Sequence, residues 1–102
     1  MKMNLYSVHD KIAGVWNLPM YFMNDAVAQR TMENCVANPE HPYGLNPEDY
    51  ELWLVGVYDD TTGHVELLEA LTPAQDGMPQ KPVRRKILDL VTLKREQGQE
   101  IH

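Results

Sequence analysis

Four histidines, one cysteine and a run of paired acids are the residues of this chain with the means to do chemistry. His9, His41, His64 and His102 show none of the HxH, HxxxH or HExxH spacings that let side chains share one metal ion. A metal site would need His9 and His64 to meet on neighbouring hairpins beside Asp10, Asp59 and Asp60. Solvated loop histidines are the expected outcome. Asp59-Asp60-Thr61-Thr62-Gly63 offers two carboxylates, but it lacks the length and the late glutamate of a calcium loop. Aspartate, threonine and glycine are also what a hairpin turn demands. Cys35 falls on the apolar stripe of a predicted helix, where a buried thiol is inert. There is no GxSxG elbow, phosphate-cradling loop or dinucleotide fingerprint. The expectation is a protein that is not an enzyme and has no catalytic residue, metal or cofactor. A hydrolase built on Asp59, Asp60 and His64 is the weakest reading.

The charges are more informative. Residues 81–95 carry Lys81, Arg84, Arg85, Lys86, Lys94 and Arg95 against Asp89 alone, a local +5. Residues 1–80 carry Lys2, Lys11 and Arg30 against twelve acids, a local −9. With Glu96 and Glu100 the total is −6. A short basic block on an acidic body suits contact with phosphates or with an acidic partner. The body itself repels nucleic acid.

A chain of 102 residues makes one domain with a small core. One cysteine excludes an intrachain disulfide and a thiolate zinc site, and suits a reducing cytosol. The first ten residues hold no apolar run long enough for a secretory leader. No stretch approaches the roughly 20 apolar residues that span a bilayer. A soluble protein with no membrane contact is expected.

Residues 3–9 read as a strand, with Met3, Leu5 and Ser7 on one face and Asn4, Tyr6 and Val8 on the other. Residues 12–16 read as the returning strand, which Pro19 breaks. Met20 to Met23 is a dense apolar patch. The spacing predicts a helix over 25–37, with Asn24 as N-cap, Asp25 in the first turn, and Val27, Ala28, Met32, Cys35 and Val36 on one side. Pro39 to Pro47 reads as loop. Residues 50–58 are the strongest strand, with Tyr50, Leu52, Leu54 and Tyr58 on one face and Trp53, Val55 and Val57 on the other. A strand apolar on both faces should be central. A hairpin loop at 59–63, with Gly63 left-handed, leads to a partner strand at 64–70.

The predicted fold is α+β. Residues 1–71 form a four-stranded antiparallel sheet in β-β-α-β-β order with one packed helix. A proline-rich linker occupies 72–82. A basic amphipathic C-terminal helix follows at 83–97, with Val83, Ile87, Leu90 and Val91 along its apolar stripe.

One helix covers one face of such a sheet. The C-terminal helix, a second copy of the chain or a ligand must cover the other. The aromatics Tyr6, Trp16, Tyr21, Phe22, Trp53 and Tyr58 suit either a base-stacking platform or a small core. Tyr6, Trp53 and Val55 are the candidates for a stacking or dimer face.

Several segments in order carry a family resemblance. They are Leu5-Tyr6-Ser7-Val8-His9-Asp10, Pro19-Met20-Tyr21-Phe22, Asn24-Asp25-Ala26, Asn46 to Leu52, and Gly56 to Gly63. The chain resembles, over about residues 3–70, the small nonstructural protein of gokushovirus-type Microviridae, single-stranded DNA phages. His9 stands where family members carry tyrosine. The resemblance implies a protein of the infected bacterium's cytoplasm that binds DNA during single-stranded genome synthesis. It brings no catalytic residues.

The resulting expectation is a homodimeric, non-enzymatic accessory factor in phage DNA replication or packaging. It would bind single-stranded DNA through Lys81, Arg84, Arg85, Lys86, Lys94 and Arg95. The alternative is a dimeric adaptor for a phage or host replication protein that never touches DNA.

Overall fold

A computed structural model describes residues 1–68 and 84–99. Its six strands form one antiparallel sheet. Strands β1 (Lys2–Asp10) and β4 (Tyr50–Asp59) are long and central, and pair along their whole length, from Lys2 opposite Asp59 to Asp10 opposite Tyr50. The sheet thus has six strands where four are predicted, because each outer position is shared by two short strands.

Along the outer side of β1 run β2 (Val15–Trp16) and then β3 (Met20–Phe22). The Asp10 carboxylate accepts from the backbone of Ile12 and Ala13, holding a turn that shortens the predicted strand at 12–16. Pro19, which cannot donate to a ladder, divides β2 from β3. Between them the backbone N–H of Asn17 donates to Val8, and Ser7 Oγ donates to the Asn17 carbonyl at 2.7 Å, so the chain stays on β1.

Along the outer side of β4 run β5 (His64–Leu67) and β6 (Arg85–Asp89). The hairpin loop before β5 puts Gly63 at φ +75°, as its turn type requires. The expectation of one basic helix over 83–97 is corrected here. Arg85–Asp89 is strand, and the helix α3 spans Leu90–Gln99. The helical stripe read from the sequence competes with a vacant ladder. β5 ends opposite Gly56, leaving Glu51 to Leu54 unpaired on that side, and β6 fills the place. A helix this short is marginal alone, so pairing decides. The predicted linker at 72–82 lies outside the described residues.

Helix α1 (Asp25–Ala37) has the predicted bounds. Asn24 caps it by accepting from the Val27 N–H at 2.9 Å. Ala28, Met32 and Val36 are buried against the sheet, while Val27 is exposed and Cys35 half-buried at the flank. The stretch predicted as loop after it holds a short helix α2 (Pro42–Leu45) and a 3-10 turn at Pro47–Asp49. Gly44 packs so closely on the end of α1 that an added Cβ would lie 2.0 Å from the Asn38 carbonyl oxygen.

The core lies on one face of the sheet. Tyr6, Val8, Leu52 and Leu54 pack there against α1 and against Leu90 and Leu93 of α3. The α3 side chain of Gln97 donates to the Glu33 carbonyl at 2.8 Å, tying the two helices together. Both helices therefore cover the same face, and the C-terminal helix does not cover the second one. Val55 has no partner on β1, a bulge that places the residues beyond it on inverted faces. Tyr58, expected beside Leu52 and Leu54, consequently points to the opposite face, where its ring meets Tyr21 at 5.4 Å.

Candidate functional site

On the face opposite α1 and α3, helix-free among the described residues, strand alternation gathers side chains from four strands. Paired residues share a face, so His9 opposite Trp16 and Glu51, Ser7 opposite Trp53, and Trp53 opposite Lys86 all project together. Trp16 and Trp53 meet edge to face across β1, with ring centroids 5.7 Å apart. The His9 ring stacks on Trp16 at 4.4 Å. The Arg84 guanidinium lies 4.5 Å from the Trp16 centroid and 6.0 Å from that of Trp53. Beneath the indoles Ser7 is buried, although no described helix covers it.

Glu51 anchors the base of this cluster. Its carboxylate pairs with Lys86 Nζ at 2.8 Å, meets His9 Nδ1 at 3.2 Å and accepts weakly from Trp53 Nε1 at 3.4 Å. The Lys86 ammonium holds its pKa down to about 2, with His9 and Trp53 adding to the effect. Lys86 also pairs with Asp89 at 2.9 Å, and its two carboxylates raise its pKa. The network fixes the ring orientations and leaves an exposed Trp16 and a half-buried Trp53 under one guanidinium. Such a surface can hold a planar, electron-rich or anionic group by stacking and by charge.

The six predicted phosphate contacts do not come together. Arg84 and Lys86 lie at the helix-free face. Arg85, the residue between them, points the other way and pairs with Asp25 at 3.0 Å, at the start of α1. Lys94 reaches the Val36 carbonyl at the end of α1. Arg95 is exposed on α3, and Lys81 lies outside the described residues. Of the predicted stacking face, Trp53 is in the cluster and Val55 is the bulge residue. Tyr6 is not on that face. It is fully buried under α1, where its hydroxyl donates to Asp25 at 2.5 Å and accepts from Asn4 at 3.0 Å. Burial, and then the bond to Asp25, push its pKa to about 12. Trp16 is among the aromatics read as suited to a stacking platform but not in the narrower face of Tyr6, Trp53 and Val55, and His9 and Glu51 are in neither. Only register across three strands places them beside Trp53.

The histidine and acid candidates are also separated. His9 is level with Glu51 and His64 with Asp59, so roughly 25 Å of β4 lies between them. The Asp59 carboxylate accepts from the Thr61 N–H, and Asp60 pairs with the Met1 ammonium. Among the described residues no helix is long and apolar enough to cross a membrane.

A family model described as Phage ORF5 protein matches residues 3–75. This chain belongs to that phage family. The ORF5 match takes in His9, Trp16, Glu51 and Trp53, whereas Arg84 and Lys86 lie beyond it. No curated protein and no solved structure matches the chain.

Proposed function

We propose that this phage protein is a non-enzymatic accessory factor that binds single-stranded DNA on the helix-free face of its sheet, during replication or packaging of a single-stranded genome in the host cytoplasm. The observation that carries this reading is the meeting of Trp16, Trp53, His9 and Arg84 on a face that neither helix covers. Sheet faces with exposed aromatics bind single strands because every base has a π face to stack. The resemblance to the gokushovirus nonstructural protein points the same way. Arg84 stands where it can pass from the indole to a phosphate. With so few cations at the face, binding should depend only weakly on salt, since the slope for single strands is about −0.7 per phosphate neutralised.

Trp16 and Trp53 are the only tryptophans in the sequence, so tryptophan emission, excited selectively over the tyrosines, reports on this face alone. Titration with a single-stranded oligonucleotide at low salt should quench and shift their emission, and an equal duplex should do so less. An unchanged spectrum would reject the assignment.

A protein adaptor is the second reading. It is favoured by the net charge of −6 and by the ion pairs that Arg85 and Lys86 already make within the chain. In that case a partner recovered from infected cells should survive nuclease treatment.

A further inference from the structure

We infer that the β2–β3 edge of the sheet is a self-association surface whose occupant is a second copy of this chain. β2 and β3 lie at the rim, with no described strand beyond them. Exposed sheet edges are ordinarily guarded by charged side chains, because unpaired backbone groups invite another strand. This edge carries no such charge, and only the shortness of β2 and β3 and the proline between them limit its pairing. Residues 12–24 contain no Asp, Glu, Lys or Arg, in a chain that is 24% charged. Along the same segment and its continuation into α1, Ile12, Val15, Leu18, Tyr21, Met23 and Val27 are between 42% and 88% exposed. Together these side chains present on the order of 600 Å², near the roughly 800 Å² that each partner contributes to a standard interface.

Charge selects the occupant. A nucleic acid would need cations, and the segment has none. Two copies of a chain of net charge −6 repel each other, and an uncharged apolar strip is where they can approach at least cost. A two-fold interface must also be self-complementary, which such a strip is by composition. Antiparallel pairing of the two edges about an axis normal to the sheet keeps both helix-free faces on one side. On the DNA reading, this doubles the stacking surface and raises effective affinity by linkage. The dimer itself does not rest on that reading.

Sedimentation equilibrium of the full chain, without DNA, at concentrations up to about 100 µM tests for association in the micromolar range. The expected mass at the upper end is twice the 11.7 kDa of one chain. Leu18→Asp with Met23→Asp changes two exposed side chains and sets like charges against each other. It should raise the dissociation constant roughly 100-fold and return the mass to 11.7 kDa, with the far-UV circular dichroism unchanged. Val65→Asp, at the opposite edge, should leave the dimer intact. A wild-type mass of 11.7 kDa throughout, a dimer that persists in the double variant, or one lost only in Val65→Asp would each overturn the inference.

Discussion

Arg84 and Arg85 are consecutive, yet they serve opposite faces of the sheet. The guanidinium of Arg84 lies over Trp16, and that of Arg85 bonds to Asp25 at the start of α1. A helix would have set them 100° apart on one basic surface, whereas the strand turns them back to back. The two variants should therefore behave differently. Arg84→Ala should weaken single-stranded DNA binding about 2- to 5-fold, the scale of an exposed cation–π contact of about 0.5–1 kcal/mol. Arg85→Ala should leave affinity unchanged. Fluorescence anisotropy with one labelled oligonucleotide separates them, and equal losses would contradict the face assignment.

Trp16→Ala should cost more than Arg84→Ala. Loss of one stacked base is worth about 1–3 kcal/mol, or roughly 5- to 150-fold in affinity. Trp16 is exposed and lies on a two-residue rim strand, so thermal unfolding should move little. A large fall in melting temperature with unchanged DNA affinity would make Trp16 a structural residue.

Glu51 couples the site to stability. It is held by Lys86, His9 and Trp53, and Glu51→Gln should destabilise the fold by about 1–3 kcal/mol in urea, as expected when charged hydrogen bonds are lost. Its pKa falls from 4.5 to about 2 on folding, so the unfolded chain binds this proton more readily. The stabilisation is complete above about pH 5 and drains away as pH falls from 4.5 towards 2. Urea midpoints of the wild type and Glu51→Gln should converge across that window. Parallel curves would mean that the pairing contributes nothing.

Tyr6→Phe removes a hydroxyl that bonds to Asp25 and Asn4 beneath α1. It should cost about 1–2 kcal/mol in stability and leave DNA affinity unchanged, because Tyr6 is on the covered face. A change in DNA affinity without a change in stability would contradict its burial.

Gly44→Ala has no room at the end of α1, where the Asn38 carbonyl blocks a Cβ. The clash should cost at least about 1–3 kcal/mol by chemical denaturation. A neutral result would show that α2 shifts freely.

Local signals in the sequence determined several parts of this protein. Asn24 and Asp25 set the start of α1, Pro39 follows its end, and Gly63 sets the β4–β5 turn. The doubly apolar run at 50–58 marks β4 as central, and its match to β1 carries the α+β class. Each of these depends on neighbours within a few residues, where propensity and capping act. The tertiary structure decided the rest. Whether Arg85 to Asp89 is helix or strand depended on the vacant half of β4, which no local pattern records. The face of Tyr58 depended on the bulge at Val55, an insertion visible only against β1. The site depended on register. Trp16 meets Trp53 because β2, β1 and β4 align in space, and hydrophobic periodicity along one segment carries no information about which segments will lie side by side.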